Sequence, residues 1–442
     1  MSEPRVLRVS VSDGLVGQLR ELDDVWSFEY DEAWLRNPLA FNLSPGLPRD
    51  TAVHTDGSSV RPVQWYFDNL LPEELLRVVL AKEARIDESD AFGLLAYFGA
   101  ESAGSLVLQV PGAPAASKGL RPFSLTALQQ RIENLPHATL NQDSPKKMSL
   151  AGAQHKMVVV RKESLLYEPL PGTPSTHILK PNSLSADYPS SVINEFFTMR
   201  LARAVGLVVP TVERLYAPAP VYLIERFDRV RATPHSPWTR IHIIDTCQLL
   251  NKSRAFKYHQ ANLQTLALAV ELCRAKTLAR IQMYRWILFN VLVGNSDNHL
   301  KNVSFIVDEE GIGLAPFYDL LSTAVYATPV YAEKASTWPR VEMAVSLEGA
   351  NYLSDITRGH LLKAGEALGL ASKTALRELE VIEKKLPLAA DKLITDITQQ
   401  YDKLIQDSPA PAAVKQLQGG EMMLLRAIQK IVIRDMLEQI RV

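Results

Sequence analysis

The sequence predicts an α+β protein, and three observations predict it. Residues 5–43 carry short runs such as "VLRVSVSD" and "WSFEYDEAW", whose apolar and polar side chains alternate as in strands with one buried face. Strand-like runs return between 146 and 227 around a single helix. After 240, apolar residues recur at helical spacing almost to the end, apart from 302–326. The expected order is a β/α N-terminal subdomain (1–110), a linker with a connecting helix (111–145), a small β-rich lobe (146–227) and an all-helical C-terminal lobe (228–442). Two such lobes leave a cleft, where ligands usually bind.

Each element has a local reason. "LSPGLPRD" (43–50) is turn chemistry, and "WYFDNLLPEELLRVVLAKEARI" is helical by spacing, with Pro72 suited to a first helical turn. "ESDAFGLLAYFGAESAGSLVL" predicts a short helix ending near Gly99 and then a strand. "PGAPAASKG" (111–119) reads as a linker, and "NQDSPKK" (141–147) is a second break. The strands "KMVVVRK", "LYEPL" and "THILKP" precede the helix "SSVINEFFTMRLARAVGL", which Ser190 or Ser191 can cap and Gly206 can close. Two more strands follow, "TVERLYA" and "VYLIERFD". The tail 409–442 reads as a proline-marked break and an amphipathic helix. Its Met422, Leu425, Ile428, Ile431 and Met436 suit packing on the helical lobe better than a partner contact.

Composition narrows the function classes. With 442 residues the chain is expected to form more than one core, and 47% hydrophobic with 22% charged residues is a globular balance. A net charge of −1 supplies no global field toward nucleic acid or membrane, so a nucleic-acid contact would be local or made through a partner. Cys247 and Cys273 sit in apolar helical context outside any CxxC pair and read as buried free thiols. The N-terminus lacks the apolar core of a signal peptide. No run approaches the ~18 apolar residues of a membrane helix. A soluble cytoplasmic protein is expected.

Four polar constellations stand out. In "GNSDNHLKN" (294–302), Asp297 and Asn302 have the Asp-x4-Asn spacing that places a proton-accepting carboxylate and a metal-holding amide on one loop; the plain alternative is a polar helix-to-strand turn. In "LAPFYDLLS", Asp319 ends an apolar run and suits a second Mg²⁺ ligand, or else a helix cap. Lys180 closes the strand "STHILKP", and Glu195 lies fifteen residues on, within the next helix; a strand Lys paired with a helix Glu fixes nucleotide phosphates. In "SLAGAQHK", the small Ala151, Gly152 and Ala153 let backbone N–H groups approach phosphate, with Lys156 and Ser149 adding a charge and a hydroxyl. Their order along the chain is that of a phosphotransferase.

Together these segments resemble the HipA family, the kinase toxins of bacterial HipBA toxin–antitoxin modules. "FDNLLPE", "FGLLAYFGAESAGSL", "SLAGAQHK", "HILKP", "NEFFTMRLARAVGL", "ERFDR" and "GNSDNHLKNVSF" followed by "FYDLLS" carry the likeness, from about residue 35 to about 400. The resemblance implies a protein-kinase-like two-lobed fold with an extra N-terminal subdomain, and an ATP- and Mg²⁺-dependent serine/threonine protein kinase. It implies Asp297 as catalytic base, Asn302 and Asp319 as Mg²⁺ ligands, and Lys180 on the phosphates. Ala151, Gly152, Ala153, Gln154 and Lys156 would form the phosphate loop. Glu225, Arg226 and Phe227 would lie at the hinge beside adenine, with His299 and Lys301 on the phosphate and substrate side. Ser149 would be a self-inactivating autophosphorylation site. The implied partners are a HipB-type helix-turn-helix antitoxin dimer, operator DNA mainly through that antitoxin, and glutamyl-tRNA synthetase as substrate, whose phosphorylation arrests growth and favours persistence. His155 departs from the family, which commonly has an acidic residue there. Two readings from other classes stay open: a non-catalytic co-repressor scaffold bridging antitoxin on operator DNA, and a metal hydrolase using Asp297, His299 and Asp319.

Overall fold

The structure is a computed structural model, and it describes residues 3–441 other than 13, 115, 136, 137, 142, 149, 151, 153, 218, 234 and 235. The chain divides into two compact units: 1–181 with 215–257 and 303–315, and 182–214 with 258–302 and 316–442.

The first unit begins with a five-stranded antiparallel sheet ordered Val53–Thr55, Val25–Tyr30, Gly14–Leu22, Arg5–Val11 and Leu106–Gln109. Its alternation is the predicted one: Trp26, Phe28 and Tyr30 are buried while their neighbours are not. Helix Pro62–Asp68 starts on a proline and is capped by the Asp56 carboxylate, which accepts from the N–H groups of Val63 and Gln64. The helical spacing read across 65–86 is not continuous in the structure. It stops at Asp68 and resumes as Glu74–Ala84. Pro72 lies in the break rather than in a first turn, because proline has no N–H to continue a helix and disfavours helical backbone in the residue before it.

A second sheet in this unit is ordered Val212–Ala217, Ala219–Glu225, His177–Pro181, Met157–Lys162, Leu165–Pro169 and Leu120–Phe123, the first strand beginning in residues of the other unit. Its inner face and the helix Leu125–Glu133 enclose a core that includes Phe123, Leu128, Met157, Leu179, Val221 and Leu223. The expected linker 111–145 thus supplies an edge strand, because Phe123 and Leu128 have apolar surface to bury. The strands Ile243–Asp245, Ser304–Asp308 and Gly311–Leu314 form a third, three-stranded sheet of the first unit. The structure therefore groups 228–257 and 303–315 with the first unit, although they were expected in the C-terminal lobe.

The second unit is mainly helical, with one two-stranded ribbon, Glu342–Leu347 with Ala350–Tyr352. Helix Ser191–Val205 belongs here rather than to the β-rich lobe. Neither serine caps it through its hydroxyl in the expected way. Asn182 accepts from Val192 N–H at 2.9 Å, while the Ser191 hydroxyl accepts from Ser183 N–H. Gly206 closes the helix at φ +105°. The 36-residue helix Ser372–Asp407 packs against it and against Pro411–Ala427. The tail packs within this unit: Met422, Leu425, Ile428 and Met436 are buried. Arg214 donates to Glu421 at 2.5 Å, and the Tyr401 hydroxyl also donates to that carboxylate. Cys247 and Cys273 are buried and unpaired with each other.

Candidate functional site

In the second unit, helix Lys276–Leu292 runs into the loop 293–302. Gly294 makes the turn at φ +65°, and a Cβ there would lie 2.7 Å from Val432, so the tail closes over this glycine. A buried amide relay then sets the loop. Asn290 donates from its side chain to Trp286 O, Asn295 donates to Asn290 Oδ1 at 2.7 Å, and Asn295 Oδ1 accepts the Asp297 N–H. The Asp297 carbonyl accepts twice, from His299 N–H at 2.9 Å and from Asn302 Nδ2 at 2.9 Å. That second bond engages the amide nitrogen of Asn302 and leaves its oxygen as the metal-type donor. Asp297 itself is exposed, and Oδ1 of its carboxylate accepts from the Tyr258 hydroxyl at 2.8 Å. The Tyr258 ring meets His299 edge to face, with centroids 5.0 Å apart. His299, Lys301 and Asn302 are buried.

The segment bearing Asp319 is tied to this loop on both sides. The Tyr318 hydroxyl donates to Lys301 O at 2.7 Å. Thr323 Oγ1 accepts from Ser296 N–H at 2.7 Å, and Ala324 N–H donates to Gly294 O at 2.8 Å. Asn194, on the helix that carries Glu195, both donates to and accepts from Ser322 backbone. Between these ties Asp319 holds φ +58°, a left-handed backbone uncommon outside glycine. Surrounding structure must hold such a residue, and residues of this kind gather at functional sites.

In the first unit, Met157 pairs with Leu179, so the antiparallel register brings Lys156 and Lys180 to the same end of two adjacent strands. Both are buried, and Lys180 Nζ lies 5.8 Å from the Tyr222 ring centroid. Gln154 donates to Pro181 O at 3.1 Å, which ties the loop to that strand end. Gly152 adopts φ +102°, and a Cβ there would sit 2.6 Å from Lys156 Nζ. His155 has its pKa lowered by burial. Ser149, Ala151 and Ala153 lie outside the described residues.

The expected hinge residues differ among themselves. Glu225 ends its strand opposite His177, and Phe227 is half-buried. Arg226 turns its guanidinium to the interior, where Asp228, Glu101, Ser175 and the Ser102 carbonyl occupy it, so only its backbone is left for a hinge. Glu101, wholly buried, also pairs with Lys146 at 2.5 Å, Arg229 at 2.9 Å and Arg240 at 2.7 Å. Burial raises the Glu101 pKa, but Arg240, Lys146, Arg229 and Arg226 bring it well below the ordinary carboxylate value. Lys146 goes the other way for a cation. Burial and the neighbouring arginines push its pKa down to about 8 despite Glu101. Burial likewise lowers Arg229, to about 10. Four cations share two carboxylates, Glu101 and Asp228, so an acid gains there and an added base loses.

The structure thus assembles Asp297, His299, Lys301, Asn302 and the backbone around Asp319 in one unit, and Gln154, Lys156 and Lys180 in the other. Lys180 and Glu195 fall in different units. Sequence reasoning missed Asn290, Asn295, Asn194, Thr323 and Tyr258. One signal was available: Asn290 interrupts the apolar run "WILFNVLV" and needs buried partners. Among the described residues no group of three or more His, Cys, Asp or Glu side chains could hold a metal ion. A hydrolase with an all-protein metal site therefore lacks its ligands among them. Nucleotide-bound Mg²⁺ needs only one or two protein oxygens beside phosphate and water oxygens, which the Asn302 amide and Asp319 carboxylate fit by donor type.

By fold this is an α+β protein with a sheet-rich and a helix-rich unit. Residues 7–109 match the family model of the HipA N-terminal domain, and residues 148–390 that of the HipA-like C-terminal domain. The chain belongs to the HipA family. The serine/threonine-protein kinase toxin HipA of Shewanella oneidensis is 28% identical over 409 residues, 88% of this chain and 89% of that protein. A Sinorhizobium fredii protein named as a kinase, Y4mE, is 35% identical over 337 residues, 73% of this chain and 78% of that one. The solved structure of Shewanella oneidensis HipA with HipB and its operator DNA matches with a TM-score of 0.75 at 26% identity, covering 97% of this chain and 99% of that one.

Proposed function

We propose that this protein transfers the γ-phosphoryl group of ATP to a serine or threonine hydroxyl of a protein, as the toxin of a toxin–antitoxin pair. The observation that carries the reading is the braced loop in which Asn302 is bonded to Asp297 and left-handed Asp319 is tied alongside. Asp297 accepts the proton of the acceptor hydroxyl as the new O–P bond forms and the bond from phosphorus to ADP breaks. Asn302 and Asp319 would hold Mg²⁺, which would offset charge on the phosphates. Lys180 and Lys156 hold the phosphates electrostatically, with the loop of Gly152 and Gln154 beside them. His299 and Lys301 line the phosphate and substrate side, and the Glu225–Phe227 backbone borders adenine. Most of the acceleration comes from positioning and electrostatics. Phosphorylation of Ser149 would add about −1.5 to −2 charges to the phosphate loop and switch the enzyme off.

The Shewanella complex supports a HipB-type antitoxin and operator DNA as partners, and the net charge of −1 favours DNA reached mainly through the antitoxin. The family likeness supports glutamyl-tRNA synthetase as acceptor, in the cytoplasm, with growth arrest and persistence as the outcome. None of the described helices is long and apolar enough to cross a membrane.

The test incubates the purified protein and γ-labelled Mg-ATP with and without glutamyl-tRNA synthetase. Wild type labels an acceptor, while Asp297→Gln and Asp319→Ala do not and keep the wild-type melting temperature. Label transfer at the wild-type rate by either variant overturns the assignment. A wild type that binds antitoxin on operator DNA yet never transfers label is instead the co-repressor scaffold.

A further inference from the structure

The motif "AESAGS" (100–105) has no part in the proposed chemistry, yet it holds a segment that has one. It lies between helix Ala91–Phe98 and strand Leu106–Gln109 of the five-stranded sheet. The segment it holds is "ERFDR" (225–229), in the same compact unit. Arg226 is the centre of the contact. A guanidinium has five N–H groups, and all of them are bonded. Nε donates to Asp228 Oδ1 at 2.9 Å. Nη1 donates to Glu101 Oε1 at 3.0 Å and to Ser175 Oγ at 3.1 Å. Nη2 donates to the Ser102 carbonyl at 2.9 Å and to Asp228 Oδ2 at 2.6 Å. Arg229 donates to the Gly104 carbonyl at 2.8 Å, and the Gly104 N–H donates to Asp228 Oδ2 at 2.7 Å. The Arg226 backbone is held as well: its N–H donates to Thr176 O at 2.9 Å, and its carbonyl accepts from Arg229 N–H at 3.3 Å. Glu101, Ser102, Ser175, Arg226, Asp228 and Arg229 are all buried.

We propose that Arg226 is a positioning residue for the nucleotide: anchored in "AESAGS", its side chain fixes the flanking peptide groups of Glu225 and Phe227 that border adenine, so the N-terminal segment of the chain sets the affinity for adenosine. The inference rests on the reading of Glu225–Phe227 as the hinge. An acceptor on each N–H leaves the planar fork one orientation, and the residues on either side inherit it. A recognition surface already held in its bound conformation escapes the cost of ordering on binding. The Arg226 side chain touches neither base nor phosphate. The phosphates are held by Lys156 and Lys180 on other segments, so loss of the anchor weakens the binding of adenosine and leaves that of phosphate as it was.

The test measures Mg-ADP binding by calorimetry, and Mg-pyrophosphate binding in the same way, for full-length wild type, Arg226→Met and Ser175→Ala. Arg226→Met leaves Glu101 with Lys146, Arg229 and Arg240, and Asp228 with Arg229 and the Gly104 N–H, so neither buried carboxylate loses its last partner. Ser175→Ala takes one acceptor from Arg226 and keeps every charge. Wild type is expected to bind Mg-ADP at least about tenfold tighter than Mg-pyrophosphate. Arg226→Met should weaken Mg-ADP about tenfold and Mg-pyrophosphate less than about twofold, and Ser175→Ala should weaken Mg-ADP alone, by about threefold. A residue that only stabilised the fold would not separate the two ligands. Unchanged Mg-ADP affinity in Arg226→Met, or an equal loss for both ligands, overturns the proposal while the hinge reading stands. Should Arg226→Met fail to fold, the same comparison in Ser175→Ala decides. A wild type that binds Mg-ADP no tighter than Mg-pyrophosphate, or binds neither, overturns the hinge reading and this inference with it.

Discussion

Replacing Lys146 with methionine should leave the protein as stable as before or make it more stable, although the lysine makes a 2.5 Å ion pair with wholly buried Glu101. The reason lies in the charge count. Glu101 retains Arg226, Arg229 and Arg240 when Lys146 is gone, whereas Lys146 stands among those three guanidinium groups. Its pKa falls from 10.5 to about 8, so holding it charged in the folded state costs about 3 kcal/mol. Against that stands the hydrogen bond from Lys146 to Thr173 O at 2.8 Å, whose loss leaves a half-buried carbonyl without it, at about 1–3 kcal/mol. The net expectation for Lys146→Met at pH 7 is a change between zero and about 2 kcal/mol in the stabilising direction. Glu101→Gln removes the shared anion instead. It leaves four cations with only Asp228 and should cost at least the ~3–5 kcal/mol of a broken buried pair. Urea unfolding at pH 7 measures both as midpoint shifts at constant slope. The sign with pH is also set. Below pH 8 the lysine is charged in both states and the penalty is complete. Between about 8 and 10.5 the folded state gives up the proton first, so wild-type stability rises with pH. Lys146→Met should lack that rise. A loss above about 2 kcal/mol in Lys146→Met, or a wild type no more stable at pH 9.5 than at pH 7 relative to the variant, refutes the reasoning.

Other expectations follow from single contacts. Gly152→Ala should weaken Mg-ATP binding severalfold by calorimetry while costing about 1 kcal/mol of stability, since the φ of +102° disfavours any Cβ and the added methyl meets Lys156; unchanged affinity would count against a phosphate role for this loop. Asn295→Ala should lower kcat together with stability by about 1–3 kcal/mol, because Asn290 and the Asp297 N–H both lose their partner; thermal melting and label transfer read the two effects. Arg214→Met should destabilise by about 3–5 kcal/mol by leaving Glu421 buried without its cation, seen as an earlier urea midpoint. Acid should weaken the first unit. Despite burial, the pKa values of Glu101 and Asp228 lie below their ordinary values, so their contribution is complete above about pH 4 and is lost as pH falls through the lowered values. Hydrogen exchange at pH 7 and pH 3 should show that loss around Ser175 and Gly104.

What the sequence determined by itself was local. Alternation over a few residues defined the strand Val25–Tyr30, helical spacing defined Ser191–Val205, and the crowding of Asp297, His299, Lys301 and Asn302 into one loop marked the candidate site. These signals are readable because the side-chain periods of strand and helix, and the reach of one loop, span a handful of residues. Helix breaks were less legible: Pro72 marks one, but its neighbours read equally well on either side of it. The tertiary structure decided the rest. It put 228–257 and 303–315 with the sheet-rich unit, turned Arg226 inward onto Glu101 across 125 positions, and set the Tyr258 hydroxyl on Asp297. No periodicity encodes such pairings. A buried charge takes whichever opposite charge the packed chain delivers, and a hydroxyl reaches a carboxylate 39 positions away only when packing brings the two together, so these choices exist only once distant segments meet.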